Sequence, residues 1–204
     1  MTQGVSSDED ALAASLAEPA RFAVVFERHV DAIHRYLSFR VGPDIAEDLT
    51  AETFARAFAA RRRYQVDRGS VKAWLFGIAT NLAHHYWRTE GRRQKRDTAT
   101  ASGAIPEDHS EEATSNVFFS SQEGLIGQAL CQLDDVQLDV LLLIAGPGFT
   151  YEEVSVALEI PVGTVRSRLS RARHQLRELL GDSRQYLEGE PPTEQAYIAT
   201  ESKQ

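Results

Sequence analysis

The sequence predicts an all-α chain of two small helical domains joined by a flexible linker. Three observations carry this. Apolar residues recur every three or four positions along most of the chain, and no useful stretch alternates with the period of a strand. Residues 93–116, rich in Thr, Ser, Ala, Glu and Asp and poor in apolar side chains, separate two such stretches. The 204 residues are 42% hydrophobic, enough for packed cores.

Residues 1–20 read as a flexible acidic tail. From Arg21, the positions Phe22, Phe26, Val30, Ile33 and Leu37 mark one face of a helix that ends near Val41-Gly42-Pro43. Asp44, with Glu47 three residues on, resembles a capping box and opens a second helix bearing Ile45, Leu49, Thr53, Phe54, Ala57 and Phe58. After the polar loop YQVDRGS, Ser70 can cap a third helix carrying Trp74, Leu75, Ile78, Ala79, Leu82 and Tyr86, with Trp74 assigned to the core. Residues 21–92 form domain one. Domain two spans 117–181: a helical stretch through Leu133, a helix capped by Asp134 or Asp135, a break at GPGF, and two more helices ending at Gly181. Residues 182–204 are a tail to which no structure is assigned.

The net charge of −8 excludes a uniformly basic nucleic-acid binder, but the charge is segregated. Arg61 to Arg96 holds ten basic residues against Asp67 and Glu90, and Thr164 to Arg177 holds five arginines and no acid. Two basic patches between acidic segments suggest two contacts with a polyanion. Cys131, the single cysteine, sits in an apolar-periodic stretch and reads as a small buried hydrophobe. No apolar run is long enough to span a bilayer and the N-terminus has no signal-peptide pattern, so a cytoplasmic location is expected. Phosphate-binding loops, nucleophile elbows and zinc motifs are missing, and neither an enzyme nor a cofactor is expected.

The segment FTYEEVSVALEIPVGTVRSRLSRARHQL has the plan of a helix-turn-helix, whose second helix enters the major groove. Thr164 lies where backbone N–H groups can hold a DNA phosphate. Arg166, Ser167, Ser170 and Arg171 share one broad helix face, while Val165, Leu169 and Leu176 can turn inward. Arginine suits base reading because its guanidinium can grip guanine O6 and N7 together. Arg168 and Arg173 fit phosphate contacts or acid partners better. Glu159 stands in the turn where glycine is frequent.

FERHVDAIHRYL, DIAEDLTAETFARAF, SVKAWLFGIATNLAHHYWR and FTYEEVSVALEIPVGTVRSRLSRAR, in this order and spacing, resemble the extracytoplasmic-function sigma factors of the sigma-70 family. The resemblance covers about residues 21–181 and implies a region-two and a region-four domain. It implies that domain one binds core RNA polymerase through Asp48 and Glu52, four apart on one helix face, and the promoter −10 element. Asn81 would sit beside a flipped nontemplate base, with the loop from Val66 to Ser70 (Asp67, Arg68, Gly69 and Ser70 included) walling the pocket. Arg88, Arg92, Arg93, Lys95 and Arg96 would track the backbone with salt-sensitive affinity. His84 and His85 lie on the −10 helix, and whether they read bases stays open. The helix-turn-helix, through Thr164, Arg166, Ser167, Arg168, Ser170 and Arg171, would read the −35 element. An anti-sigma protein is the further partner implied, with no membrane contact by the chain itself. A free-standing helix-turn-helix regulator and a helical adaptor with incidental arginines are the alternatives; only a sigma factor would make core polymerase promoter-specific.

Overall fold

The computed structural model describes residues 7–102 and 125–180, with side chains for 7–90 and 126–180. Residues 1–6 of the N-terminal tail, 103–124 and 181–204 lie outside it, as do the side chains of Arg92, Arg93, Lys95 and Arg96. Among the described residues every regular element is helical, as the apolar periodicity predicts.

The first helix is one the sequence reading did not expect. Residues Asp8–Ala14 form α1, where a flexible tail was predicted. Ser7 and Asp10 close a reciprocal capping box, and three acids in the first turn favour the positive end of the helix dipole. Ala11 and Leu12 are buried against domain one, Leu12 alone contributing about 1.5–3 kcal/mol. Asp8 reaches Arg28 at 2.7 Å and His29 at 2.6 Å, and Glu9 accepts a hydrogen bond from the Val71 N–H at 3.3 Å. An acidic, weakly apolar stretch folds here because its partners are basic or unpaired groups far along the chain.

Helix α2 (Phe22–Val41) and helix α3 (Pro43–Ala60) form a tight antiparallel pair. The buried stripe of α2 includes Phe22, Val25, His29, Ile33, Tyr36, Leu37 and Arg40, so three polar side chains share it. Phe26, expected inside, is 41% exposed, though its ring meets Phe54 edge-on at 4.8 Å. The predicted capping box at Asp44 does not form. Gly42, at φ 93°, turns the chain and Pro43 occupies the first helical turn, where its missing N–H costs nothing. Asp44 instead lies exposed within that turn.

Short 3₁₀ turns at Arg61–Arg63 and Val66–Arg68 lead to helix α4 (Val71–Ser102). Ser70 caps it as expected, its Oγ accepting from the Ala73 N–H at 3.2 Å. The helix continues ten residues into the stretch read as a linker, which holds no proline before Pro106 to stop it. Trp74 is half-buried rather than fully core, and packs on Tyr64 at 5.3 Å.

Domain two contains α5 (Leu125–Leu130), α6 (Asp135–Ala145), α7 (Tyr151–Ala157) and α8 (Val162–Leu180). Asp134 caps α6 through the Gln137 N–H, and Thr150 and Glu153 form a capping box on α7. Cys131 is buried with Leu133, Leu138, Ala172 and Leu176, and burial pushes its thiol pKa up. The main apolar core does not stop at the domain boundary. Val140, Leu143, Phe149, Val154, Ala157 and Leu169 join the same cluster as Ile33, Leu37, Phe76 and Ala83 of domain one. Phe76 meets Phe149 edge-on at 5.0 Å, and Lys72 Nζ donates to the Pro147 carbonyl at 2.8 Å.

Candidate nucleic-acid interface

Helices α7 and α8 are joined by a four-residue turn, Leu158 to Pro161. Glu159 takes φ 53° there, the left-handed conformation that glycine supplies without strain. Val165, Leu169, Ala172 and Leu176 are the buried stripe of α8. This leaves Arg166, Ser167, Ser170 and Arg171 exposed on its other side, with the Arg166 guanidinium 5.8 Å from the Tyr151 ring centre. Arg168 is half-buried and faces domain one. Thr164 is half-buried, and its backbone N–H donates to the Pro161 carbonyl at 2.8 Å. That N–H is therefore not free for a phosphate; Val162 and Gly163 carry the N–H groups that open the helix.

The predicted single-strand pocket is a cleft of about 590 Å³. Tyr64, Arg68, Gly69, Ser70, Trp74 and Asn81 line one side of it. The Tyr64 hydroxyl donates to the Gly69 carbonyl at 2.7 Å, tying the loop to the ring that stacks on Trp74. Burial, then the charges of Glu9 and Asp8, push the Tyr64 pKa to about 12, so the hydroxyl stays a donor. Gly69 has φ 130°, which an L side chain rarely adopts. Arg68 is exposed on the rim, Asp67 is exposed but does not line the cleft, and Asn81, His85 and Arg88 are exposed along α4. The opposite side of the cleft is domain two itself: Ser155, Val156, Ala157 and Glu159.

His84 points elsewhere. Its Nε2 lies 2.6 Å from Asp139 Oδ2, in a buried group that sequence reading missed. Asp139 and Arg40 are both 0% exposed, and Arg40 Nε is 2.8 Å from Asp139 Oδ1. The Nε–H is aimed past that oxygen, so the contact is an ion pair rather than a hydrogen bond. The Tyr36 hydroxyl donates to Asp139 Oδ1 at 3.0 Å, which leaves the Thr80 hydroxyl, 2.8 Å away, as donor to Tyr36. Arg40 also donates to Asp135 Oδ1 from both terminal nitrogens at 3.3 Å. Burial alone would raise the Asp139 pKa, but the charge of Arg40 and the His84 contact outweigh it and hold it below the usual value. Tyr36 is pushed well up by burial and then by the Asp139 charge. One signal was available in the sequence: a lone aspartate inside the apolar run of α6, LDVLLLIA.

Asp48 and Glu52 are exposed one turn apart on α3, away from the clefts, with Glu52 paired to Arg56 at 2.6 Å. Of the DNA-binding residues expected from sequence, Asn81 and His84 of domain one and Arg168 of domain two, with Asp139, line a smaller cleft of about 100 Å³, whereas Arg166, Ser167, Ser170 and Arg171 lie on the exposed side of α8.

Residues 25–93 match the family model for sigma-70 region 2, and residues 123–176 match that for sigma-70 region 4. The chain is 34% identical over 161 residues to the ECF RNA polymerase sigma factor SigE of Mycolicibacterium smegmatis, covering 75% of this chain. It spans 59% of that relative's length. It is 31% identical over 144 residues to the ECF RNA polymerase sigma factor EcfG of Rhodopseudomonas palustris, covering 71% of this chain and 76% of EcfG. Among solved structures it resembles the sigma factor RpoE bound to the anti-sigma factor NepR from Bartonella quintana. That match has TM-score 0.58 and 28% identity and covers 79% of this chain and 98% of RpoE.

Proposed function

The chain belongs to the extracytoplasmic-function group of the sigma-70 family, and from that premise we propose that it binds core RNA polymerase and directs it to a dedicated set of promoters. One observation supports this above the others. Two chemically distinct surfaces occur in one chain, an exposed Arg/Ser helix face suited to duplex edges and a loop-walled, aromatic-backed cleft suited to an unpaired base.

In this reading Arg166, Ser167, Ser170 and Arg171 face the −35 major groove, with the Thr164 hydroxyl and Arg168 on the adjacent phosphates. Asn81 offers an amide to the edge of a flipped −10 base, Asp67 to Ser70 form the wall, and Arg88 holds the backbone. Asp48 and Glu52 pair with basic residues of polymerase, where rim charges chiefly steer association. His85 is free to face the strand; His84 becomes so only when released from Asp139. Each contact is moderate alone, and polymerase makes them act together by tethering both to one promoter. The chain carries out no chemistry of its own; polymerase performs nucleotidyl transfer in the cytoplasm. A protein partner that holds it inactive fits the same reading, since the similar sigma factor RpoE is found in complex with the anti-sigma factor NepR.

Run-off transcription with purified core polymerase on a genomic promoter library tests this. Initiation at defined sites that share a two-part motif is the expected result. Failure to associate with core enzyme, or initiation no more specific than core alone, refutes it.

A further inference from the structure

The loop between α3 and α4, residues 61–70, lines the larger cleft yet has no core of its own. Neither of its 3₁₀ turns buries a side chain, and Val66 is 67% exposed. Polar ties must therefore fix its shape, because an untethered exposed loop opens at little free-energy cost. Three ties are present. At the start, the Arg61 guanidinium lies 3.7 Å from the Phe58 ring centre and donates to the Phe58 carbonyl. In the middle, the Tyr64 hydroxyl reaches the Gly69 carbonyl. The third holds the end of the loop and comes from outside it.

A helix opens with N–H groups that have no acceptor in a preceding turn. At the start of α4, Ser70 serves the Ala73 N–H with its hydroxyl and the Trp74 N–H with its carbonyl. Val71, at the first helical position, is 0% exposed, so water is a poor substitute acceptor for its N–H. Glu9 Oε1 accepts that N–H at 3.3 Å, and a negative charge at this end also suits the helix dipole. Helix α1 is fixed so as to deliver the acceptor. Asp8, beside Glu9, is held by Arg28 and His29 of α2, and Ala11 and Leu12 are buried about one turn on. The helix therefore bridges from α2 to the first turn of α4. The charges of Glu9 and Asp8 are also felt at the Tyr64 hydroxyl, which sets the same end of α1 near the middle tie.

We propose that Glu9 is a positioning residue for −10 recognition: its hydrogen bond to the start of α4 fixes the loop from Asp67 to Ser70 relative to Asn81, in the spacing that an unpaired base requires. Ser70 is the joint. It belongs both to the loop that lines the cleft and to the cap of the helix that carries Asn81, so play at Val71 passes directly to the loop. Glu9 itself touches no nucleotide. The residues assigned to core polymerase and to the −35 element stand on α3 and α8, which Glu9 does not tie. This inference rests on the promoter-binding reading of the cleft.

The full chain, with core polymerase, is compared in four forms: unaltered, Glu9→Ala, Glu9→Gln, and Glu9→Ala combined with Val71→Pro. The promoter is one mapped by run-off transcription, together with versions in which each −10 base is replaced in turn. Discrimination is the ratio of open-complex rates on the mapped promoter and on each replacement. Glu9→Ala should lower that ratio about tenfold at the base read in the cleft, the scale of one lost charge-assisted hydrogen bond. Glu9→Gln keeps an acceptor and should retain most of it. Proline suits the first position of a helix and has no N–H to satisfy, so Val71→Pro should restore discrimination to Glu9→Ala. That rescue keeps the test decisive should Glu9→Ala also loosen α1. Preference among −35 variants and affinity for core polymerase should be the same in all forms. Without DNA, amide exchange from Val66 to Lys72 should quicken about tenfold in Glu9→Ala while α2 and α3 keep their rates. A purely structural role slows initiation equally on every −10 version and leaves the ratio unchanged; that result overturns the proposal, as does unchanged exchange in the loop or failure of the proline rescue. If the unaltered chain shows no preference among −10 versions, the promoter-binding reading is wrong, and the exchange rates alone decide whether Glu9 holds the loop.

Discussion

Replacing Arg40 and Asp139 separately and together tests whether they act as one unit. Asp139→Leu leaves the Arg40 guanidinium, 0% exposed, beside Asp135 at 3.3 Å. Removing one member of a buried ion pair costs about 3–5 kcal/mol because the other charge stays desolvated. Asp135 softens that loss, and so does domain separation, which lets water reach Arg40. The low end, about 3 kcal/mol, is therefore expected. For a chain of this size that lowers Tm by about 6–12 °C. Arg40→Met should lose a similar amount by stranding the carboxylate. The double variant presents two apolar side chains to each other and should recover most of the loss. Urea unfolding followed by circular dichroism and tryptophan fluorescence completes the cycle. Trp87 is a built-in reporter, since its Nε1 donates to the Arg40 carbonyl at 2.9 Å. A coupling below about 0.5 kcal/mol would show that the two residues act independently and would refute the reasoning.

Asp8 gives a pH prediction. Burial raises its pKa, but hydrogen bonds from Arg28 and His29 outweigh this and hold it below the ordinary value of 3.8. The contribution of α1 docking is thus fully present above pH 3.8 and lost as pH falls through the lower folded-state value. Amide exchange in α1 should accelerate only in that acid range, and Asp8→Asn should abolish the step. Glu159→Gly should stabilise the helix-turn-helix by about 1 kcal/mol, read as a higher melting temperature, because it relieves a left-handed backbone. Arg171→Ala should weaken −35 recognition by about 1–3 kcal/mol, measured across −35 variants; an unchanged preference would show that it reads no base. Asn81→Ala should slow open-complex formation, followed by permanganate footprinting, more than it weakens core binding; the reverse order would remove it from the cleft's proposed role.

Much of the architecture was legible because local rules sufficed. The period of apolar residues locates α2, α3, α4 and α8, and Ser70 and Asp134 cap where their chemistry says they should. The buried stripe of α8 and its exposed Arg/Ser face follow from spacing alone. What stayed hidden depends on pairing across distance. Helix α1 looks like a tail because its stabilising partners, Arg28, His29 and the Val71 N–H, lie far along the chain. Tyr36 and Arg40 were not singled out on α2 because a hydrophobic count cannot see Asp139, about a hundred positions later. The Asp44 capping box failed for a local reason: Gly42-Pro43 supplies a competing and sharper start. The candidate DNA-reading residues were recognisable singly, but not that Arg168 of α8 and Asn81 and His84 of α4 line one cleft.

Helix α1 bears on how this protein should be cut and tagged. Trimming at residue 20, where a hydropathy plot invites it, would remove the carboxylate that meets the first N–H of α4 and bare the seat of Leu12. A shortened chain of that kind would solubilise differently and hold its cleft wall less firmly. Weak strand binding by such a fragment would then be a fault of the scissors, not a property of the protein.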